Sequence, residues 1–315
     1  MERLSILIPC YNESDVFPLL KARVDQLAER LRSENIKCEI IAVDDGSKDL
    51  TWALIQEWAT ENPDVRGIAL SRNFGHQIAL SCAYQQCIGD AAVSIDADLQ
   101  DPPELIVSMV EKWCAGADVV FAIRRKRESE SLFKRSTAML YYRILGMLGL
   151  TFIEKDCGDF RLMSRRALNA LNSMPEQNRL LRGMAGWIGF KTDKVYFERP
   201  PRQAGTTKYP LRKMLLLAAD GIVSFSNLPL RAAYLVGLFI MLAVASYLAW
   251  TTVMYVLGRT PLVPGWSSLL ITISAFGFAN LICLGVIGEY IGRIYSEVKH
   301  RPLYLIREDT KESSK

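Results

Sequence analysis

Two long apolar stretches toward the C-terminal end constrain the fold of this chain more than any other feature. Residues 232–257 and 266–291 are each long enough to cross the roughly 30 Å hydrocarbon core of a bilayer as a helix. The segment that joins them, residues 258–265, is too short for a domain and carries one charge, Arg259. Two buried helices of a soluble core are the alternative, which this length and hydrophobicity disfavour. We therefore predict a hairpin of two transmembrane helices.

Basic residues lie on the outer flanks of both apolar stretches. They are Lys208, Arg212, Lys213, Arg231, Arg293, Lys299 and Arg301. Because Lys and Arg gather on the cytosolic side of membrane proteins, this pattern predicts a multi-pass protein of the plasma (inner) membrane with both termini in the cytosol.

The hydropathy changes sharply near residue 230 and divides the chain into four predicted segments. They are a cytosolic α/β domain of residues 1–209, an amphipathic interfacial helix of residues 210–230, the transmembrane hairpin of residues 231–295 and a cytosolic tail of residues 296–315. The end of the tail, residues 307–315, is short and charged, and we expect it to be disordered.

The N-terminal segment has the pattern of alternating strands and helices. Short apolar runs bounded by polar turns predict buried parallel strands at residues 4–8, 40–43, 67–70, 91–95 and 119–123. Amphipathic stretches at residues 16–31 and 51–59 predict helices, the second with Ser47 and Asp49 as capping residues. We therefore expect an α/β domain with a mostly parallel sheet, whose functional loops follow the carboxyl ends of the strands.

Composition and charge exclude several classes of protein. The net charge of +4 is small for 315 residues, so nucleic acid is not an expected partner. The seven cysteines are scattered without a CxxC pair, as is typical of buried thiols in a reducing compartment. The first residues lack the pattern of a signal peptide, and no GxGxxG follows the first strand, which argues against a dinucleotide-dependent oxidoreductase.

The strongest chemical signal is an acidic turn directly after the run at residues 91–95. Asp96 and Asp98 offer the oxygen ligands that Mg²⁺ or Mn²⁺ prefers, and such a cation would bridge them to a diphosphate. Carboxylates that cap the helix expected near Pro102 are the ordinary alternative.

Two more turns carry polar groups at strand ends. Residues 43–49 (VDDGSKD) could bind a ribose or a base, and residues 9–13 (PCYNE) place an aromatic ring beside a carboxylate. Plain strand-to-helix turns explain both equally well. Because parallel strands end at the same edge of a sheet, however, all three turns could converge on one site.

In this order, the motifs resemble a known family. PxYNE, VDDGSxD, SRNFGHQ at residues 71–77, DADLQDPP at residues 96–103, GDFRLM at residues 158–163 and RQAGTTKY at residues 202–209 are similar to the inverting family-2 glycosyltransferases. Within them, the chain most resembles the polyprenyl-phosphate branch, which includes dolichyl-phosphate mannose synthases and bacterial undecaprenyl-phosphate glucosyltransferases. This resemblance implies a GT-A fold over the α/β domain.

The resemblance also implies roles for individual residues. A nucleotide-sugar site would include Pro9, Tyr11, Glu13, Val43, Asp45, Asp96, Ala97 and Lys208. The metal would be held by Asp96, Asp98 and Gln100, and the acceptor phosphate would be bound by Arg124, Arg135, Ser136 and Arg202. Asp98 and Asp159 are the candidates for a catalytic role, should a general base be used.

The implied activity is the inverting transfer of a hexose, with glucose from UDP-glucose as the first expectation, to the phosphate of undecaprenyl phosphate. GDP-mannose or another UDP-sugar is the alternative donor, and a homo-oligomer is expected. A polysaccharide synthase normally carries QxxRW, whereas Gln177 is followed here by Asn178, Arg179 and Leu180. A non-catalytic membrane scaffold is the alternative of another class, which the complete acidic set disfavours.

Overall fold

A computed structural model of the chain describes residues 2–124, 157–198, 228–258 and 265–311. Within these ranges the strands are β1 (Arg3–Cys10), β2 (Lys37–Asp44), β3 (Val65–Leu70), β4 (Ala91–Ser94), β5 (Val119–Arg124), β6 (Cys157–Ser164), β7 (Thr192–Phe197) and β8 (Ile306–Asp309). The helices are α1 (Phe17–Ser33), α2 (Thr51–Glu61), α3 (His76–Gln86), α4 (Leu105–Cys114), α5 (Arg165–Asn172), α6 (Leu181–Trp187), α7 (Leu228–Val256) and α8 (Trp266–Val298).

The strands form one sheet in the order β7-β5-β6-β4-β1-β2-β3-β8. Strands β1 to β4 pair in parallel, as β5 does with β7. Strand β6 runs antiparallel between β4 and β5, and β8 runs antiparallel to β3 at the edge. The predicted α/β class with a mostly parallel sheet is confirmed, and the five expected strands are all present.

Burial on both faces explains why the central strands are apolar runs rather than alternating patterns. Seven of the eight residues of β1 are buried, and so are seven of the eight residues of β2. Helix α1 covers one face with its apolar stripe. Its Phe17 meets Trp58 of α2 edge to face at 5.8 Å, and the Trp58 indole donates a hydrogen bond to Asp25 Oδ1 at 3.1 Å.

The two predicted helices form as α1 and α2, with one change at the start of α2. Leu50 is at the N-cap position and no side-chain cap hydrogen bond forms, so the predicted capping by Ser47 and Asp49 is wrong. Asp49 Oδ1 accepts the N–H of Thr51, the first helical residue, at 3.0 Å, and its Oδ2 accepts the N–H of Ser14 at 3.1 Å. Ser47 Oγ accepts the N–H of Asn12 at 2.9 Å. Both side chains are thus used to join the turn before α2 to the turn after β1.

The prediction of a disordered C-terminal tail is wrong for residues 307–309. These residues belong to β8, whose edge position satisfies the backbone groups that β3 would otherwise leave unpaired. The Arg66 guanidinium binds both carboxylate oxygens of Asp309, with Nη2 2.6 Å from Oδ2. Gly67 donates its N–H to Thr310 Oγ1 at 3.0 Å. The charged sequence is thus used to dock the segment, and we call residues 301–311 the C-terminal strap.

The chain divides into two units, Met1–Tyr209 with Arg301–Lys315 and Pro210–His300. In the second unit, α7 and α8 pack against each other and contain two segments that are long and apolar enough to cross a membrane. These are Gly237–Met254, with mean hydropathy 1.8, and Thr272–Val298, with mean hydropathy 1.5. The predicted interfacial helix falls largely on residues 210–227, outside the described residues.

Candidate active site at the carboxyl edge of the sheet

The parallel pairing brings the three polar turns to one edge of the sheet. The last residues of β1 and β2, Cys10 and Asp44, are register partners. Strand β4 pairs with β1 in the same direction, so the acidic turn after Ser94 lies at the same edge. The convergence expected from the sequence is therefore present.

The turns after β1 and β2 are joined by hydrogen bonds between their main chains and side chains. Lys48 donates its N–H to Asn12 Oδ1 at 2.8 Å, and Glu13 donates its N–H to Thr51 Oγ1 at 2.9 Å. The Tyr11 side chain, in contrast, remains 42% exposed. Pro9 and Val43 are register partners whose side chains are buried in the sheet. The fixed main chain thus presents the Tyr11 ring to solvent.

Asp45 has a different environment from the one its predicted nucleoside role implies. Its carboxylate is buried and accepts the backbone N–H groups of Phe74 and Gly75, at 2.7 and 2.9 Å. Burial raises the pKa of Asp45 despite these two bonds. A side chain on Gly46 would collide with the backbone of Arg72, since a Cβ there would lie 2.5 Å from its carbonyl carbon. Asp45 therefore holds the segment of residues 71–75 against the end of β2, and Gly46 leaves room for it.

The acidic turn places oxygen atoms where a cation could be held. Asp98 Oδ1 accepts the N–H of Gln100 at 3.0 Å, in a turn where Leu99 has a positive φ of 56°. Ala97 is buried below it. Gln100 Oε1 is buried and has no hydrogen-bond partner among the described residues. Within the residues that the structure describes, no three His, Cys, Asp or Glu side chains lie close enough together to hold a metal ion.

A cluster around Asp159 lies beside this turn. Asp159 Oδ1 accepts a hydrogen bond from Arg161 Nη2 at 2.5 Å, and Oδ2 accepts one from Gln77 Nε2 at 2.8 Å. His76 Nε2 lies 3.4 Å from Asp159 Oδ2 and 3.5 Å from Asp96 Oδ1. The histidine therefore stands between the cluster and the acidic turn.

The charges of the cluster shift the pKa values of its members. Burial alone would raise the pKa of Asp159, but the hydrogen bond with His76 and the charge of Arg161 hold it well below its usual range. Burial alone would lower the pKa of His76, yet Asp159 and Asp96 raise it above its usual value. Burial raises the pKa of Asp96. Asp159 is thus a stable anion within a partly cationic cluster.

Arg124, expected at the acceptor phosphate, ends β5 at the same edge. Its Nη2 lies 3.4 Å from Oδ1 of the fully buried Asp101. Gly158 makes room for the guanidinium, since a Cβ on this residue would lie 2.6 Å from Arg124 Nη2. Arg135, Ser136, Arg202 and Lys208, which complete the predicted set, lie outside the described residues.

Sequence reasoning assigned no role to four residues of the cluster. His76 and Gln77 stand in the SRNFGHQ motif, and Arg161 stands in GDFRLM, so motif membership was their only signal. The fourth, Arg182 on α6, lies in none of the quoted motifs, and its Nη2 is 3.9 Å from Asp159 Oδ2.

Comparisons with known proteins agree with this architecture. A family model described as Glycosyl transferase family 2 matches residues 5–171. The uncharacterized glycosyltransferase YkcC of Bacillus subtilis is 44% identical over 96% of this chain and 93% of its own length. The bactoprenol glucosyl transferase of Shigella phage SfV is 40% identical over 98% of this chain and 99% of its own.

Similarity to solved structures is more distant. Glucosyl-3-phosphoglycerate synthase from Mycobacterium tuberculosis, solved in complex with Mn²⁺ and UDP-glucose, is 18% identical over 70% of this chain and 77% of that chain, with a TM-score of 0.48.

Proposed function

The chain belongs to glycosyl transferase family 2, and we propose that it transfers glucose from UDP-glucose to the phosphate of a polyprenyl lipid, undecaprenyl phosphate, at a membrane. The observation that carries the proposal is the 40% identity to a bactoprenol glucosyl transferase over 98% of this chain. Since that match spans the α/β domain and both apolar helices, it supports a common reaction rather than a common fold alone.

The geometry of the strand ends supports a nucleotide-sugar donor. The exposed ring of Tyr11 offers a face for stacking a base at the end of β1. The acidic turn that contains Asp96 and Asp98 follows β4, which pairs with β1. In this arrangement, the nucleoside lies over β1 and β2 and its diphosphate reaches the acidic turn. GDP-mannose and other UDP-sugars are the donors against which UDP-glucose has to be tested.

A divalent cation, Mg²⁺ or Mn²⁺, fits the acidic turn. The buried Gln100 Oε1 has no hydrogen-bond partner among the described residues, and an amide oxygen of this kind can coordinate a hard cation. Asp96, Asp98 and Gln100 are the residues that would hold it. When bound, the cation supplies neutralisation of the negative charge that develops on the leaving diphosphate.

The reaction we propose is a single displacement. A phosphate oxygen of the lipid attacks the anomeric carbon opposite the diphosphate, so that one carbon–oxygen bond forms as the other breaks and the configuration inverts. The attacking phosphate is already anionic and needs little help from a base. Both oxygens of Asp159 are engaged by Arg161 and Gln77, which supports an anchoring role for this carboxylate. Positioning and charge stabilisation are then the main work of the protein.

A lipid acceptor explains why the chain carries two apolar helices. The polyprenyl tail stays in hydrocarbon while its phosphate lies at the level of the headgroups, where a membrane-anchored enzyme meets it. We propose that α7 and α8 span the membrane, that both termini are cytosolic and that the protein self-associates.

The test is a transfer assay with the purified full chain in detergent. Radiolabelled UDP-glucose and GDP-mannose are offered with undecaprenyl phosphate, in Mn²⁺, in Mg²⁺ and in a chelator. Asp96→Asn removes one proposed metal ligand. Asp193→Asn is the matched control, because Asp193 lies on β7, where its exposed side chain pairs with Lys112 of α4. We expect UDP-glucose to give label in the lipid fraction. This label should disappear with the chelator and in Asp96→Asn, but not in Asp193→Asn.

Each other outcome has a definite meaning. Label from GDP-mannose alone would correct the donor. Label from neither donor, in a protein that still binds UDP or GDP with metal, would refute the proposed sugar or acceptor. A protein that binds neither nucleotide would support the alternative function, a non-catalytic membrane scaffold.

A further inference from the structure

Arg182 has no role in the site described so far, although its side chain reaches the cluster. Resting on the proposed function, we propose that Arg182 binds a phosphate oxygen of a substrate, and that Gln77 and Arg161 are the residues that position it. Two sources of that phosphate are available, the diphosphate of the donor and the phosphate of the lipid acceptor.

The backbone next to Arg182 is held on both sides. Leu181 donates its N–H to Gln77 Oε1 at 3.0 Å, and its carbonyl accepts a hydrogen bond from Arg161 Nη1 at 2.7 Å. The other polar atoms of the same two end groups, Gln77 Nε2 and Arg161 Nη2, donate hydrogen bonds to the Asp159 carboxylate at 2.8 and 2.5 Å. A closed ring of four hydrogen bonds thus fixes the first residue of α6 to Asp159. The backbone of Arg182, the next residue, is therefore fixed as well.

The charge of Asp159 does not require Arg182. Arg161 is fully buried and pairs with Asp159 at 2.5 Å, so the carboxylate already has a cation in contact. Arg182 Nη2 is 3.9 Å from Asp159 Oδ2, which is too long for a hydrogen bond, and its side chain is 44% exposed. The second arginine therefore adds positive charge at a place open to solvent.

Phosphate is the ligand that matches this arrangement. A guanidinium binds two phosphate oxygens with parallel hydrogen bonds, and a guanidinium on a fixed backbone loses less entropy in doing so. His76, which links Asp159 to the acidic turn, is also partly exposed, with 42% of its side chain accessible. A phosphate at Arg182 would therefore lie near the turn where the diphosphate is expected.

The experiment compares Arg182→Ala and Arg182→Lys with wild type in the full chain. Arg166→Ala is the matched control, because Arg166 is an arginine with 68% side-chain exposure that pairs with Asp118. The KM values for UDP-glucose and for undecaprenyl phosphate are measured separately, and UDP binding is measured by calorimetry with Mn²⁺ and no lipid. We expect Arg182→Ala to lower kcat/KM about 10- to 100-fold, the size of a lost charge-assisted hydrogen bond, with partial recovery in Arg182→Lys.

The arms of the experiment separate the two sources. Weaker UDP binding assigns Arg182 to the donor diphosphate. A higher KM for the lipid with unchanged UDP binding assigns it to the acceptor. A variant that keeps kcat, both KM values and UDP affinity within twofold of wild type overturns the inference while leaving the proposed function intact. If wild type transfers nothing, the proposed function fails, and the affinities of wild type and variant for UDP and inorganic phosphate still decide the role of Arg182.

The positioning role of Gln77 has its own readout. Gln77→Ala should raise the same KM, or weaken the same binding step, as Arg182→Ala. The double variant should then be little worse than Arg182→Ala, because both changes act on one interaction. A Gln77→Ala protein that melts at a lower temperature but keeps its kinetic constants would reduce this residue to a structural one.

Discussion

Replacing Asp45 by Asn separates two roles for this carboxylate. The sequence motif places Asp45 at the nucleoside, whereas the structure gives its two oxygens to the backbone N–H groups of Phe74 and Gly75, at 2.7 and 2.9 Å. Asn has nearly the same shape but offers one acceptor oxygen. Its NH₂ group would face the other backbone N–H, donor against donor. The substitution should therefore release the segment of residues 71–75.

The magnitude follows from the hydrogen bond that Asn cannot replace. Burial raises the pKa of Asp45 despite both bonds, so loss of the negative charge itself adds nothing to the cost. Asn leaves one buried backbone N–H without an acceptor, which costs about 1–3 kcal/mol. At 1.4 kcal/mol for each factor of ten, local opening of the segment becomes about 5- to 140-fold more frequent.

Amide hydrogen exchange measures this opening directly. The peptide that covers residues 71–77 should lose protection by that factor in Asp45→Asn, while peptides of the core strands β1 and β2 keep theirs. Asp193→Asn, at an exposed site, should exchange as wild type does. Unchanged protection at Phe74 and Gly75, together with weaker UDP binding, would refute this reasoning. Asp45 would then have the nucleoside-binding role that the sequence motif predicts.

Three further changes test other parts of the structure. Asp309→Ala removes from the strap the bidentate partner of Arg66 on β3. It should lower the free energy of unfolding by about 2–3 kcal/mol in urea, against about 1 kcal/mol or less for Asp193→Ala; equal losses would contradict this. Burial alone would raise the pKa of Asp49, but hydrogen bonds from the hydroxyl and backbone N–H groups of Thr51 and Ser14 lower it to about 2. Its contribution to stability should therefore be complete above about pH 4 and lost as the pH falls through 2, and a midpoint near 4 in an NMR titration would speak against it. Gly158→Ala puts a Cβ 2.6 Å from Arg124 Nη2, so this guanidinium must move, and the KM for the lipid should rise about tenfold with little change in Tm; an unchanged KM would remove Arg124 from the acceptor site.

The strands and the location of the site could be predicted because both have local causes. A parallel strand buried on two faces must be apolar along its length, so β1 and β2 are visible as runs. The polar turn at the end of such a strand then lies at a known edge of the sheet. Asp96 and Asp98 could be assigned to that edge without knowledge of their partners.

The network around Asp159 could not be predicted, because its members come together only in the folded chain. Gln77 and Asp159 are 82 residues apart, and β6 brings them together by inserting antiparallel between β4 and β5. No pattern within β6 identifies the strands that it will join. The use of Asp45 by a neighbouring loop is a tertiary contact of the same kind. The roles expected of Arg135, Ser136, Arg202 and Lys208 stay predictions.

The C-terminal strap also sets an order for the synthesis of this protein. Strand β8 is encoded after α8, so the ribosome completes both apolar helices before residues 306–309 emerge. Until then, the edge of β3 has no partner on that side, and an uncovered edge strand invites pairing between chains. A product that stops within α8 would carry this open edge. Closure of the sheet by β8 therefore makes completion of the α/β domain depend on prior synthesis of both apolar helices.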